Sequence, residues 1–315
     1  MSAILLSRPS AGWLETLLLV PDTDLLRSFG AKDPVAIATG DWWRFITPVF
    51  VHIGLLHFAF NSYGIHIIGW QIERLLGTGW FLAIYLLSGV IGNVASDYFS
   101  LAISAGASGA LFGLLGAGYV LERMVGNRIA AETGHRPKRR VYATMVGINL
   151  VFGAVVPGID NAAHVGGLVS GALMTWAMLA VRTNRLRARN PLLAVAIGLL
   201  IIAVSAFGVG VSLDRNLVRT RIEARADAAR SGAEAWYFYS EALSLNPNDP
   251  SLLVKRARIL LLGREYGDAV ADLTVVARNP DKHPQLEALA AELESQGFRH
   301  EGEIVRDVVA SSITR

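Results

Sequence analysis

The sequence contains no cysteine, which removes disulfides, thiolate nucleophiles and cysteine-ligated metal sites together. Charge is scarce: Asp, Glu, Lys and Arg make up 17% of the 315 residues, where a soluble domain carries about 25%. Residues 191–213 have no ionisable group at all. Met1 to Leu6 is too short for the apolar core of a secretory leader and lacks a basic start, so no cleavable signal peptide is expected. Apolar residues are what the chain has in excess, at 52% with a mean hydropathy of +0.41. That balance puts most of the chain in lipid. The isoelectric point is near 9.3 although the net charge is only +3. The arginines sit in clusters beside apolar runs, which speaks for membrane topology and against a nucleic-acid partner.

Six runs read as spans: residues 54–76, 80–98, 107–121, 141–156, 162–181 and 191–213. Asp41-Trp42-Trp43-Arg44 precedes the first, where indoles and a guanidinium suit an interfacial anchor. Residues 1–40 contain no run long enough to span. They are set apart as an amino-terminal segment and read as the remnant of a first helix, with residues 21–39 as a surface segment. The loop 122–140 holds Arg123, Arg128, Arg136, Lys138, Arg139 and Arg140, and Arg182, Arg185, Arg187 and Arg189 follow the fifth run. The positive-inside rule places both clusters in the cytoplasm. Spans one, three and five then run inward, and His57, Asn61, Ser108 and His164 fall at one depth below the outer face. This topology leaves residues 1–50 outside, so either a short amino terminus is translocated or a helix preceding Met1 is missing. The expected location is a bacterial inner membrane, with the membrane part at 41–213.

Residues 214–315 are different. They hold 14 Lys and Arg against 16 Asp and Glu, and read as soluble and helical. A period of 34 residues pairs Ala235 with Ala269, Tyr239 with Leu273 and Ala242 with Val276. Alanines, period and helix-ending proline resemble tetratricopeptide repeats, whose stacked helices bind peptides or proteins. The topology puts this domain on the extracytoplasmic side.

A hydroxyl stands out in Ser104-Ala105-Gly106-Ala107-Ser108-Gly109, at the mouth of an apolar helix. Alone, such a serine is usually a packing residue. With His164 it has a base in the right titration range. His57 and Asn61, spaced i, i+4, share a helix face and can both donate to an oxyanion, and so can the Ser108 amide at a helix start. Gly106 and Gly109 permit a tight turn. Gly109, Gly113 and Gly116 face Gly167 and Gly171 at spacings that let two helices close. Phe112 is one turn below Ser108, where it can support the His164 ring. Asp160 reads as a solvated loop residue, so a dyad is expected and not a triad. No cofactor or metal is expected.

The combination resembles the rhomboid family of intramembrane serine proteases over about residues 25–182. Four motifs carry it: Trp42-Trp43-Arg44, His52-x4-His57-x3-Asn61, Gly106-Ala107-Ser108-Gly109, and Ala163-His164-x2-Gly167-x3-Gly171. The resemblance implies an all-α polytopic bundle, with Ser108 as nucleophile, His164 as general base, and His57, Asn61 and the Ser108 amide as the oxyanion site. It implies that Trp43-Arg44 lie in a loop of the outer leaflet and that Glu73-Arg74 help close the inner end. It makes the fourth span and the loop 157–161 a gate, and the sixth span an added carboxy-terminal helix. The implied substrates are single-span membrane proteins cut near the outer face. The alternatives are a non-catalytic relative that binds membrane clients, a small transporter built on the same polar layer, and a repeat domain with a membrane anchor.

Overall fold

The computed structural model describes residues 23–133, 139–156, 158–182 and 208–313. The remnant helix read within residues 1–22, and most of the sixth run, lie outside them. The chain forms two compact units, residues 1–213 and 214–315. Among the described residues every regular element is helical, apart from one isolated antiparallel bridge between Lys32 and Ser104.

The first unit begins with two short helices, α1 (Thr23–Ser28) and α2 (Pro34–Ala38). Asp33 caps α2 by accepting from the Val35 and Ala36 amides, and Pro34 takes the first helical position where no amide is needed. Leu26, Ala31 and Ile37 are buried, and so are Lys32 and Asp33. The expectation of a surface segment at 21–39 is therefore corrected. Its polar residues can be buried because partners meet them: Arg27 pairs with Asp33 at 2.8 Å, and the Lys32 ammonium donates to the Ser100 carbonyl at 2.9 Å. Two 3-10 turns follow, Trp42–Phe45 and Thr47–Val49. Both indoles are exposed. Arg44 turns to the carbonyls of Arg27 and Ala31 and to Asp41.

The first apolar run is one continuous helical stretch, α3 (Leu55–Gly64), a π turn at Ile65–Gly69, and α4 (Trp70–Leu76). Glu73 accepts from Thr78 Oγ1 at 2.8 Å, and Arg74 lies over the Trp70 ring. Then come α5 (Thr78–Phe99), α6 (Ser108–Met124), α7 (Gly126–Thr133), α8 (Arg139–Val155) and α9 (Asn161–Arg182). Among the described residues α5 and residues 161–180 of α9 are long and apolar enough to cross a bilayer. The 17-residue α6 rises about 25 Å, a little less than a hydrocarbon core of ~30 Å.

This unit has a buried apolar core that includes Ile72, Ile84, Phe112 and Leu114, but it also buries polar residues and turns aliphatic ones outward. Ser88, Asn93, Ser96, Asp97, Ser170 and Thr175 are buried, while Leu82, Leu86, Leu87, Ile148, Val151, Phe152 and Val169 face outward. An aliphatic outer surface, with the polar side chains kept inside, is what a lipid solvent selects. Ser170 and Thr175 satisfy themselves on carbonyls of their own helix, and Asn93 ties α5 to the Phe45 carbonyl.

Among the described residues the second unit has six α-helices, α10 (Arg215–Asp227), α11 (Gly232–Leu245), α12 (Pro250–Leu262), α13 (Tyr266–Ala277), α14 (His283–Ser295) and α15 (Arg299–Ile313), with a 3-10 turn at Pro280–Lys282. They pack as three successive hairpins, α10 on α11, α12 on α13 and α14 on α15. Asp214, Ser231 and Asp249 cap the starts of α10, α11 and α12 with their side chains. Ala235, Tyr239 and Ala242 on α11 and Ala269, Leu273 and Val276 on α13 are all buried. These are the positions that the 34-residue period pairs.

Candidate active site

Ser108 is the first residue of α6. The preceding connection returns from α5 through the Lys32–Ser104 bridge. It is pinned again where the Gly106 amide donates to the Pro48 carbonyl at 2.9 Å. Gly106 has φ +140°, a conformation that side chains disfavour, and a Cβ there would lie 2.5 Å from Cε1 of His57 and 2.9 Å from its Nε2. The glycine is thus required twice, for the turn and for the imidazole beside it.

His164 lies on the first turn of α9, buried. Its Nε2 is 2.9 Å from Ser108 Oγ. Phe112 stacks on the imidazole at 4.2 Å between centroids and 6° between planes, which fixes the ring. The His164 Nδ1 atom is buried with no hydrogen-bond partner, so no carboxylate orients the ring through that atom.

The Ser–His distance depends on how closely α6 and α9 approach. A Cβ built on Gly167 would collide with the Gly109 carbonyl, one on Gly171 with that of Gly113, and one on Gly116 with that of Leu168. The two helices therefore meet backbone to backbone, a contact that only glycine permits. Ser88 of α5 fills the remaining space beside Gly113.

His57 and Asn61 approach from α3. His57 Nδ1 accepts a long hydrogen bond from the Ile53 amide at 3.4 Å. With that nitrogen accepting, the neutral ring carries its proton on Nε2, the atom beside Gly106. Asn61 is 4% exposed, and its Nδ2 has no partner. An unpaired buried amide costs about 1–3 kcal/mol. His52 packs edge-on against His57 at 5.4 Å. Trp43 and Arg44 lie outside this group of residues; Arg44 acts on the segment 27–31.

Asp160 is not a solvated loop residue. It caps α9: its Oδ1 accepts the Ala163 amide at 3.0 Å, its Oδ2 accepts from Ser96 Oγ, and its carbonyl accepts the His164 amide at 3.1 Å. Burial pushes its carboxyl up, but the Ser96 and Ala163 bonds, the Lys32 charge and a bond from Ser104 together hold it below the usual carboxylate range. The sequence signal was available: an Asp just ahead of an apolar run is a helix-start signature. Asn161 joins the same end, donating Nδ2 to the Leu150 carbonyl of α8 at 3.1 Å.

Chemically, the group offers a hydroxyl beside an imidazole, with two side-chain donors and a free helix-start amide close by. A family model described as "Rhomboid domain" matches residues 39–181. The chain is similar to the rhomboid protease GluP of Bacillus subtilis (strain 168), 41% identical over 57% of this chain and 35% of that one. It is similar to the putative rhomboid protease YdcA of the same organism, 31% identical over 48% of this chain and 74% of that one. It is also similar to the rhomboid protease AarA of Providencia stuartii, 33% identical over 51% of this chain and 64% of that one. The match thus spans about a third of GluP and just under two thirds of AarA.

Proposed function

The chain belongs to the rhomboid family, multi-pass integral membrane proteins, and on that premise we propose that it is an intramembrane serine endopeptidase working through Ser108 and His164. One observation carries the reading: a serine hydroxyl 2.9 Å from an imidazole nitrogen, between two helices that meet through glycine. His164 takes the Ser108 proton as Oγ attacks the scissile carbonyl, and returns it to the leaving amine. The oxyanion is received by the Ser108 amide, His57 Nε2 and Asn61 Nδ2. The unpartnered, buried Asn61 amide supports that role, because a substrate oxygen would supply the bond it lacks. In a second cycle His164 takes a proton from water as it attacks the acyl carbonyl; the bond to Ser108 Oγ breaks, the proton returns to that oxygen, and the carboxylic acid product leaves. Phe112 holds the base, and Gly106, Gly109, Gly167 and Gly171 let the reacting groups meet.

The substrates we propose are single-span proteins cleaved near the outer face of a bacterial inner membrane, with six spans in this chain. Residues 214–315 serve as an extracytoplasmic, tetratricopeptide-like module that recruits a peptide or protein. Its helix starts at 215, 250 and 283, and at 232, 266 and 299, support the repeat. The test is S108A in a reconstituted assay with a labelled single-span substrate. Cleavage is expected to be lost and fluorophosphonate labelling to disappear, with the thermal midpoint kept. Cleavage at the wild-type rate overturns the assignment and favours a client-binding relative.

A further inference from the structure

We infer that Lys32 is a positioning residue for the Ser108–His164 pair, holding the approach to Ser108 with its backbone and acting on the His164 helix through Asp160. The inference rests on the protease reading above.

Lys32 has no accessible surface. An ammonium sealed inside a protein is costly unless negative groups face it, so its place is a built feature. Its contacts run in two directions. Along the chain towards Ser108, its amide and carbonyl pair with those of Ser104 at 2.8 and 3.1 Å, and its Nζ donates to the Ser100 carbonyl at 2.9 Å. These hold the connection from α5 to α6, which ends at Gly106 and Ser108. Towards His164, the Lys32 charge acts on Asp160, and Ser104 also donates to that carboxylate. Asp160 in turn holds the Ala163 and His164 amides. Lys32 therefore holds the Ser108 side by hydrogen bonds and bears on the His164 side by its charge alone, with Ser104 bonded to the Lys32 backbone and donating to Asp160.

The segment around Lys32 is itself anchored. Arg44 donates to the Arg27 and Ala31 carbonyls, and Thr47 Oγ1 donates to the Gly30 carbonyl at 2.6 Å. Asp97, fully buried on α5, is a second carboxylate next to Ser96 in sequence. Of the two acids, Asp160 is the one bonded to the first turn of α9. Loss of the Lys32 charge leaves Asp160 buried with less compensation, and α9 relaxes to relieve it. A shift of the base by a fraction of an ångström lowers the chemical step and leaves substrate affinity alone.

The test is a double-mutant cycle on the full-length protein in liposomes with a labelled single-span substrate. K32M keeps the backbone bridge and removes the ammonium. D160N keeps a good helix cap and removes the charge. K32M is expected to lower kcat about tenfold or more with KM within about twofold, and to slow fluorophosphonate labelling of Ser108 in parallel. K32M/D160N is expected to recover much of that loss, because the uncompensated carboxylate is gone. The inference is overturned if K32M keeps more than about a third of the wild-type kcat, if the two losses simply add, or if D97N relieves the K32M defect and D160N does not. If K32M does not accumulate, D160N alone decides: unchanged kcat overturns the inference, and a kcat loss at constant KM supports it. S108A runs alongside. If S108A still cleaves, the protease reading itself has failed; if S108A is inactive and K32M is normal, only the Lys32 inference has.

Discussion

The two helix-packing regions of this molecule solve the same problem by opposite means. In residues 108–182, α6 and α9 meet through Gly109, Gly113, Gly167 and Gly171, with backbone against backbone. In residues 214–315, the hairpins pack larger side chains such as Tyr239, Leu273, Leu286 and Leu293. They add ion pairs at the rim: Arg256 with Asp272, and Lys255 with Glu223 and Asp227. Water supplies the reason for the second arrangement, since burying aliphatic groups is favourable there. Lipid offers no such gain, and close van der Waals contact takes its place. The same glycine contact sets the spacing at which Ser108 Oγ and His164 Nε2 lie 2.9 Å apart.

The largest expected effect breaks the glycine contact. In G167V the added side chain has no space against the Gly109 carbonyl, so α9 must move away from α6. Cleavage is expected to fall by about 100-fold or more. Overpacking is expected to cost about 1–3 kcal/mol, read as a lower thermal midpoint in detergent. Hydrogen exchange of α10 to α15 is expected to stay unchanged. Activity within twofold of wild type would show that the pair tolerates a wider spacing.

How much of this was legible beforehand depends on where a residue's partners lie. The apolar helices could be read because each periodic run carries its own signal. Gly109, Gly113, Gly167 and Gly171 could be matched because small residues at i and i+4 have few other uses in lipid. The helix pairing of 214–315 could be read from a period that recurs in Ala235 and Ala269. Lys32 and Arg44 could not be placed, because each is satisfied by groups far away in sequence: Ser100 and Ser104 for the one, the 27–31 carbonyls for the other. Asp160 could have been read as a helix cap from the apolar run that follows it, but its bond to Ser96 could not. A charged residue read locally looks solvated. The number of spans was equally hard to read, since α6 and α8 have apolar composition but only 17 residues each.

The second unit should respond to cavities, not to crowding at glycine. Leu273 is fully buried, and L273A is expected to destabilise this unit by about 2–5 kcal/mol. Faster hydrogen exchange in α11 and α13 would report it. A smaller loss is expected for R256M. Arg256 grips Asp272 through two hydrogen bonds of 2.8 and 2.7 Å. Removing it strands an acid that is 8% exposed, at about 1–3 kcal/mol. If R256M costs as much as L273A, the rim is as important as the core, and the contrast between the two regions narrows.

The smallest effect is one of pH. Asp227 is partly buried, which raises its carboxyl, but the Tyr239 hydroxyl and the Lys255 ammonium lower it further, so the net shift is downward. Burial lowers Lys255, but its bonds to Asp227 and Glu223 outweigh that and raise it. A carboxyl depressed in the folded state stabilises above its unfolded value and loses that contribution as the pH falls through the folded one. A raised ammonium stabilises below its unfolded value and loses it as the pH rises through the folded one. The cluster should thus contribute fully from about pH 5 to about pH 9, a unit inside the unfolded Asp and Lys values, and fade on either side. Asp227 is 46% exposed, so the amplitude is small and should shrink further in salt. The urea midpoint of residues 214–315, followed by the NMR signal of labelled Tyr239, should fall between pH 5 and pH 3. That fall should be shallower in D227N. An equal fall in D227N would move the acid sensitivity to the other rim carboxylates, Glu223 and Asp249, which also face basic partners across hairpins.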